Sequence, residues 1–330
     1  MNQRRKLLTA LGASLFTTSS FSVNAQVPIA PSGKPWRVGI LPGGPLAPRK
    51  FQWDAFRARM QELGYIEGKN VQFEFRAPEK EGDPYDTLAA ELVRLNVDVI
   101  VATAGIAITA ANKATQRIPI VMCPSADPVI DGFVTSLRRP GGNLTGVAIL
   151  PAETTGKRLQ LLREMVPKAK RVAFLWSTVG KTQLDAAESA ARQLGVQLQS
   201  LEVNTANALP GAFEAAIKSN ADALMVAQTT FTFGMRKEIT AMALKHRLPS
   251  IYGLPSNAVE GGLMSYGPDD TEFYRLGAMF VDKIFRGSKP GDLPIQQPTR
   301  FELVINLKTA RALGIKVPQM VLVQAARVIE

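Results

Sequence analysis

From Trp36 almost to the end of the chain, short apolar runs alternate with longer stretches in which apolar residues recur every three or four positions. These are the periods of buried strands and of helices that bury one face. Residues 37–41 predict a strand closed by Pro42-Gly43-Gly44. A helix over 51–63 follows, with Phe51, Ala55, Phe56, Met60 and Leu63 on one face and Gly64 as its stop. Residues 71–75 alternate as a strand. Asp83-Pro84 opens a helix, with aspartate as cap and proline at its first position, and Leu88, Leu92 and Leu95 face inward. Residues 97–102 form a continuous apolar run, the kind buried on both sides of a parallel sheet. A helix over 106–116 and a strand over 118–122 come next. The same rhythm resumes at 155: helix 155–166 (Leu159, Leu162, Met165 and Val166 inward), strand 171–176, a helix marked by Leu184, Ala187, Ala191 and Leu194 and closed by Gly195, strand 196–203, helix 211–219, strand 221–227, helix 234–246 and strand 249–252. Repeated βα units argue for α/β architecture, with parallel sheets covered by helices on both faces and right-handed crossovers.

Two segments interrupt this rhythm. Residues 142–149 and 261–267 are short strands, each opened by a glycine pair, and each sits where one half of the chain would hand over to the other. They are read as crossings between two Rossmann-like lobes. The chain starts in lobe one, crosses near 148, builds lobe two and crosses back near 264. The helix over 271–286 then returns to lobe one, proline-rich 290–298 makes a third crossing, and 301–306 with the tail from Val317 rejoins lobe two. The expected division is 36–147 with 266–295 for lobe one, and 148–265 with 296–330 for lobe two.

The first 25 residues stand apart. Arg4, Arg5 and Lys6 precede an apolar stretch from Leu7 to Phe16, too short to span a bilayer, and Val23-Asn24-Ala25 places small residues at a cleavage site. This layout predicts a secretory signal and a periplasmic product, by the general route or, given Arg4-Arg5, the twin-arginine route. Residues 26–35 read as a leader. The roughly 300 residues that remain suit two domains rather than one. The net charge of +11 includes the three signal cations and forms no basic stripe, so no nucleic-acid partner is expected. The single cysteine, Cys123, rules out a disulfide within the chain. The product is expected to be a monomer.

No catalytic constellation is visible. The single histidine, His246, ends a predicted helix between Lys245 and Arg247, where the helix dipole favours a cation. No nucleophile elbow, P-loop, dinucleotide fingerprint or metal-spaced cluster occurs, so neither an enzyme nor a cofactor is expected. Open parallel sheets bind ligands at the carboxyl ends of their strands, and that rule names the candidates. In lobe one they are Gly43 and Gly44, then Thr103, Ala104 and Gly105, then Ser125, Ala126 and Asp127. In lobe two they are Ser177 and Thr178, Gln228 and Thr229, and Tyr252 before Gly253; the second crossing adds Ser265, Tyr266 and Gly267. Hydroxyls, glycines and helix N-termini offer donors to an anionic or polar ligand. Asp127 precedes Pro128 and a helical spacing of Ile130, Phe133, Val134 and Leu137, so it reads as an N-cap and also as a partner for a ligand amine. Asp269-Asp-Thr-Glu272 has capping-box spacing. Tyr252 and Tyr266 suit either a ligand ring or a buried hinge.

Five stretches carry a family likeness: Leu63-Gly-Tyr-Ile-Glu-Gly-Lys-Asn70, Ala126-Asp-Pro-Val129, the run 132–146 (Gly-Phe-Val-Thr-Ser-Leu-Arg-Arg-Pro-Gly-Gly-Asn-Leu-Thr-Gly), Tyr266-Gly-Pro-Asp269, and the run 301–314 (Phe-Glu-Leu-Val-Ile-Asn-Leu-Lys-Thr-Ala-Arg-Ala-Leu-Gly). They resemble the substrate-binding proteins of ATP-binding cassette transporters, whose better-understood relatives bind tryptophan or tyrosine. The resemblance implies a type I periplasmic binding fold with a ligand cleft between its lobes, and a membrane permease with a cytoplasmic ATPase as partners. By position it implies ligand contacts at Thr103, Ala104, Ser125 and Asp127, the aspartate meeting an amine. Many relatives carry Asn-Pro after the first lobe-two strand where this chain reads Ser177-Thr-Val-Gly-Lys181, and the 228–233 loop departs as well. The resemblance thus leaves lobe two facing a different ligand surface. A binder that presents its ligand to a sensor would read the same way.

Overall fold

A computed structural model describes residues 28, 30, 33–79 and 83–330. The expected signal, 1–25, lies outside the described residues, as does half of the 26–35 leader. The chain forms two α/β lobes. The first sheet contains β1 (Trp36–Leu41), β2 (Val71–Phe75), β3 (Val99–Ala102), β4 (Ile120–Ser125) and β5 (Leu144–Ala148), in the order β2-β1-β3-β4-β5 and parallel throughout. The second contains β6 (Arg171–Trp176), β7 (Gln197–Glu202), β8 (Ala223–Val226), β9 (Ser250–Tyr252), β10 (Met264–Gly267), β11 (Glu302–Asn306) and β12 (Arg327–Ile329). Its order is β12-β11-β10-β9-β8-β6-β7, and β10 with β11 is its one antiparallel pair among the described residues.

The strand period of two explains why each sheet carries a core on both faces. Val99 and Val101 enter one apolar cluster while Ile100 and Ala102 enter another. In the second sheet, Val172, Phe174 and Trp176 face one core and Ala173 and Leu175 the other. Helices Lys50–Glu62 and Glu272–Phe285 cover one face of the first sheet through Trp53, Phe56, Met60, Phe273, Phe280 and Phe285. Trp36 stacks on Phe285 at 4.0 Å between ring centroids. The helix that follows β10 packs into the core under the first sheet, and β11 and β12 pair in the second.

The passages between lobes follow β5 and β10. Residues 149–154 lead to helix Thr155–Met165, and 268–271 lead back. Both glycine-opened strands, read as crossings, belong to sheet ladders: β5 to the first and β10 to the second. Residues 295 and 296 run beside β5, with Gln296 N donating to Gly146 O at 2.9 Å, before the third passage.

Three local expectations change. The helical spacing after Asp127 forms turns, because Gly132 enters the left-handed region (φ +74°) and the amides of Phe133 and Val134 both turn back to Pro128 O. Asp269 does not close a capping box. Its Oδ1 accepts from both Thr271 N and Thr271 Oγ1 at 2.7 Å, and Thr271 occupies the N-cap. The helix expected over 234–246 is two, Thr230–Gly234 and Arg236–Lys245, and the first begins with a capping box between Thr229 and Thr232.

Cys123 lies in the core against Gly277, where an added Cβ would sit 2.3 Å from its Sγ. Burial pushes its thiol pKa up. Native protein is expected to leave a thiol reagent unreacted, with one thiol appearing on unfolding; prompt native labelling would show that this core opens.

Candidate functional site

The loops at the carboxyl ends of the strands are stitched together within each lobe. In lobe one, Gly43 N donates to Thr103 Oγ1 at 2.8 Å, tying the loop after β1 to the loop after β3. A Cβ at Gly43 would meet Ala104 Cβ at 2.5 Å and Thr103 O at 2.6 Å, so only glycine fits. Ala104, the first residue of helix Ala104–Ala114, is held at φ +63°. A non-glycine residue there costs about 1 kcal/mol or more and persists where its surroundings over-determine it. Gly44 lies against the Arg49 guanidinium, and Gly105 is 4.0 Å, at an added Cβ, from Asp131 Oδ2. Ser125 is fully buried and its Oγ has no partner. Ala126 is exposed. Asp127 Oδ1 accepts from Val129 N at 3.1 Å and Ile130 N at 3.0 Å, the local closure expected of a turn-capping aspartate.

In lobe two, Ser177 Oγ donates to Thr229 Oγ1 at 3.0 Å, joining the loops after β6 and β8. Gln228 exchanges two hydrogen bonds with Gln183, N to Oε1 at 2.8 Å and O from Nε2 at 3.0 Å, which leaves its own buried Nε2 without a partner. Thr178 turns away to Glu202 and Asn204 at the β7 edge. Tyr252 is packed in the lobe-two core against Gly262, with an unpartnered hydroxyl, and Tyr266 stacks on Phe301 at 6.1 Å. Ser265 is buried in β10, and Gly267 meets the backbone of Gly253.

Seven residues absent from the expected set complete this region. Phe233 and Leu254 leave lobe two and are buried in the lobe-one core beside Trp53 and Tyr274. Arg49 reaches across to Thr230 O at 3.1 Å and lies over the Phe233 ring at 5.4 Å, while Arg236 returns to Pro48 O at 3.1 Å and covers the same ring at 4.7 Å. Burial lowers the Arg49 pKa. Arg158, on helix Thr155–Met165, is 1 % exposed. Asp270, 3 % exposed, follows β10; its Oδ1 accepts from Ser256 N at 3.4 Å and its Oδ2 has no partner. Burial pushes the Asp270 carboxyl up to about 6, with Asp269 adding to the shift. Tyr274, buried in the lobe-one core, lies near both Asp270 and Thr103, and burial pushes its hydroxyl pKa up.

Unpartnered buried polar atoms are uncommon, and each costs about 1–3 kcal/mol. Here Ser125 Oγ comes from one lobe, Gln228 Nε2 and Arg158 Nη1 from the other, and Asp270 Oδ2 from the passage between them. Together with the fold, two α/β lobes joined by three passages, these loops define the class of two-lobed binding proteins.

The chain belongs to the ABC transporter substrate binding protein family, whose model matches residues 50–329. It is 25 % identical over 265 residues to the tyrosine-binding protein of Clostridioides difficile (strain R20291), covering 79 % of this chain and 76 % of that one. Among solved structures it resembles a conserved domain protein from Vibrio cholerae (TM-score 0.83, 24 % identity, 89 % of this chain and 100 % of that one). It also resembles an ABC domain in complex with L-Trp from Streptococcus pneumonia (0.82, 24 %, 90 % and 100 %). The ligand-free, open structure of a substrate binding protein with adhesive properties from Clostridium difficile matches at TM-score 0.66, with 23 % identity over 89 % and 99 % of the two chains. The fold is the type I periplasmic binding fold, shared with a leucine binding protein from Thermotoga maritima.

Proposed function

We propose that this chain is the periplasmic solute-binding component of an ABC uptake system, exported by its N-terminal segment, and that it captures a small amino-acid-like carboxylate ligand by lobe closure. The observation that carries this reading is the set of unpartnered buried polar atoms drawn from both lobes to the carboxyl ends of their strands. The tyrosine- and tryptophan-binding relatives support the ligand class. The Arg49–Phe233–Arg236 contacts support closure: they join lobe to lobe and bury an aromatic ring between two cations. So does the better fit to the tryptophan complex than to an open, ligand-free relative of nearly equal identity. A permease with its ATPase would read the surface that closure creates.

A thermal-shift screen of amino acids, aromatic acids, small carboxylates and nucleosides tests the reading. A ligand at a hundred times its Kd should add about 2.7 kcal/mol of stability. A flat response to every carboxylate and amino acid overturns the ligand class. Arg49→Ala should weaken the ligand found by about tenfold, since it removes a charged hydrogen bond and a cation–π contact made only across the lobes. Scattering on the loaded variant should show a more open particle, and an unchanged Kd would place the latch elsewhere.

A further inference from the structure

Arg158 is the most deeply buried charged side chain among the described residues. Its side chain lies at the carboxyl ends of the lobe-two strands, bounded by the first passage (Pro151), the helix after β6 (Gln183), the loop after β8 (Gln228) and the end of β9 (Gly253). One guanidinium nitrogen is satisfied: Nη2 donates to Pro151 O at 2.8 Å, to Thr155 Oγ1 at 2.9 Å and, at the limit of a hydrogen bond, to Gln183 Oε1 at 3.5 Å. All three acceptors are neutral. Nε and Nη1 have none, and no carboxylate among the described residues pairs with the group. Burial alone lowers its pKa, to about 10, which still leaves it charged at neutral pH. Buried cations are ordinarily paired, since one charge in a low-dielectric site is costly without its opposite.

The backbone is shaped around this nitrogen. Gly253 is one residue past β9, and a Cβ there would sit 2.3 Å from Arg158 Nη1 and 2.5 Å from Gln228 Oε1. Gly253 thus keeps clear the ground on which Arg158 and Gln228 converge, and the Gln228 amide nitrogen beside them is itself unpartnered. The guanidinium has two nitrogens without acceptors and the Gln228 amide has a free N–H close by, and a carboxylate supplies both the negative charge and the oxygens they lack.

We propose that Arg158 is the anchor for the ligand's carboxylate, its Nη1 donating to a carboxylate oxygen with Gln228 beside it, and that it sets the preference of this protein for acids over their neutral amides. This rests on the solute-binding reading above and deepens it.

The test compares L-tyrosine and L-tryptophan with their amides, by calorimetry, on the mature chain, Arg158→Gln and Arg158→Lys. The native protein should bind an acid about a hundredfold more tightly than the matching amide, because an amide leaves a buried charge unanswered. Arg158→Gln should lose about that factor for the acid and change amide affinity by less than about threefold. Arg158→Lys keeps the charge on a different donor geometry and should retain part of the acid preference; it also serves where the glutamine variant folds poorly. Acid affinity that survives Arg158→Gln, or a native protein indifferent to the amide, overturns the anchor and leaves solute binding standing. Loss of acid and amide together in a folded Arg158→Gln overturns it too, by showing a purely structural role. If the native chain binds none of the four probes, the aromatic amino-acid ligand fails, and with it the anchor for that ligand, while the wider screen decides the carboxylate class.

Discussion

Gly267→Ala should lower the thermal unfolding midpoint by roughly 6–12 °C and abolish ligand binding. A Cβ at this position would lie 1.7 Å from Gly253 O and 2.9 Å from Gly253 C. Those are backbone atoms, so no rotamer change relieves the overlap. β10 or the end of β9 must move. Overpacking of this kind costs about 3 kcal/mol at the upper end of its usual range. The displacement is passed on, because Gly253 is itself pressed between Arg158 and Gln228. Gly253→Ala makes the informative comparison. Its added methyl would meet side-chain atoms only, Arg158 Nη1, Gln228 Oε1 and Gln228 Cβ, with no backbone among them, so its midpoint should fall less than that of Gly267→Ala while ligand affinity falls as far. Differential scanning fluorimetry with and without ligand reads both quantities. A Gly267→Ala protein within about 2 °C of the native midpoint would show that the two strand ends do not approach as described.

Much of this architecture was legible as pattern. The continuous runs at β3 and β8 signal strands covered on both faces, and every residue of both is buried. The strand ends were legible as well: Thr103, Ser125, Ser177, Gln228 and Thr229 sit where parallel strands stop. The pattern failed after Asp127, where apolar spacing suits a helix but Gly132 takes a backbone conformation that a helix cannot use. Tyr252 was ambiguous for a related reason: strand alternation cannot distinguish a ring facing the cleft from one facing the lobe-two core.

The two buried charges escaped for different reasons. Arg158 shares the inward face of its helix with Leu162 and Met165, at i+4 and i+7. A cation on an apolar stripe was therefore readable, although periodicity alone ranks it as a long side chain reaching out to solvent. That it stays buried depends on Gln183, Gln228 and Gly253, which arrive from three distant points in the chain. Asp270 hid beside Asp269, which has the capping-box spacing. Only the fold shows that Asp269 serves Thr271 while Asp270 turns inward to Ser256. Charge complementarity across the passage is a property of tertiary structure: a cation without an anion in lobe two, and an acid with a free oxygen beside the lobe-one loops.

Asp270→Asn should stabilise the ligand-free protein at neutral pH and flatten its response to acid. The wild-type carboxyl has one oxygen without a partner and the other on a long bond from Ser256 N, with Asp269 adjacent in the chain and the buried Tyr274 hydroxyl near it. Burial raises its folded pKa from 3.8 to about 6. A raised folded value means the native state holds this proton more tightly than the unfolded chain does. The group's contribution to stability is then fully present below about pH 4 and is lost as pH climbs through 6. The span corresponds to about 3 kcal/mol, all of it missing by pH 8. Asparagine keeps the shape and cannot ionise, so denaturant unfolding should find the variant more stable by about 2–3 kcal/mol at pH 7.5, by about 1 kcal/mol at pH 4.5 and level with wild type near pH 3. Parallel stability curves across that window would mean that Asp270 is already partnered in solution. A ligand amine that meets Asp270 would supply the missing charge. In that case the wild-type protein should bind amine-bearing ligands more tightly as pH rises from 5 to 7, a gain that Asp270→Asn should lack.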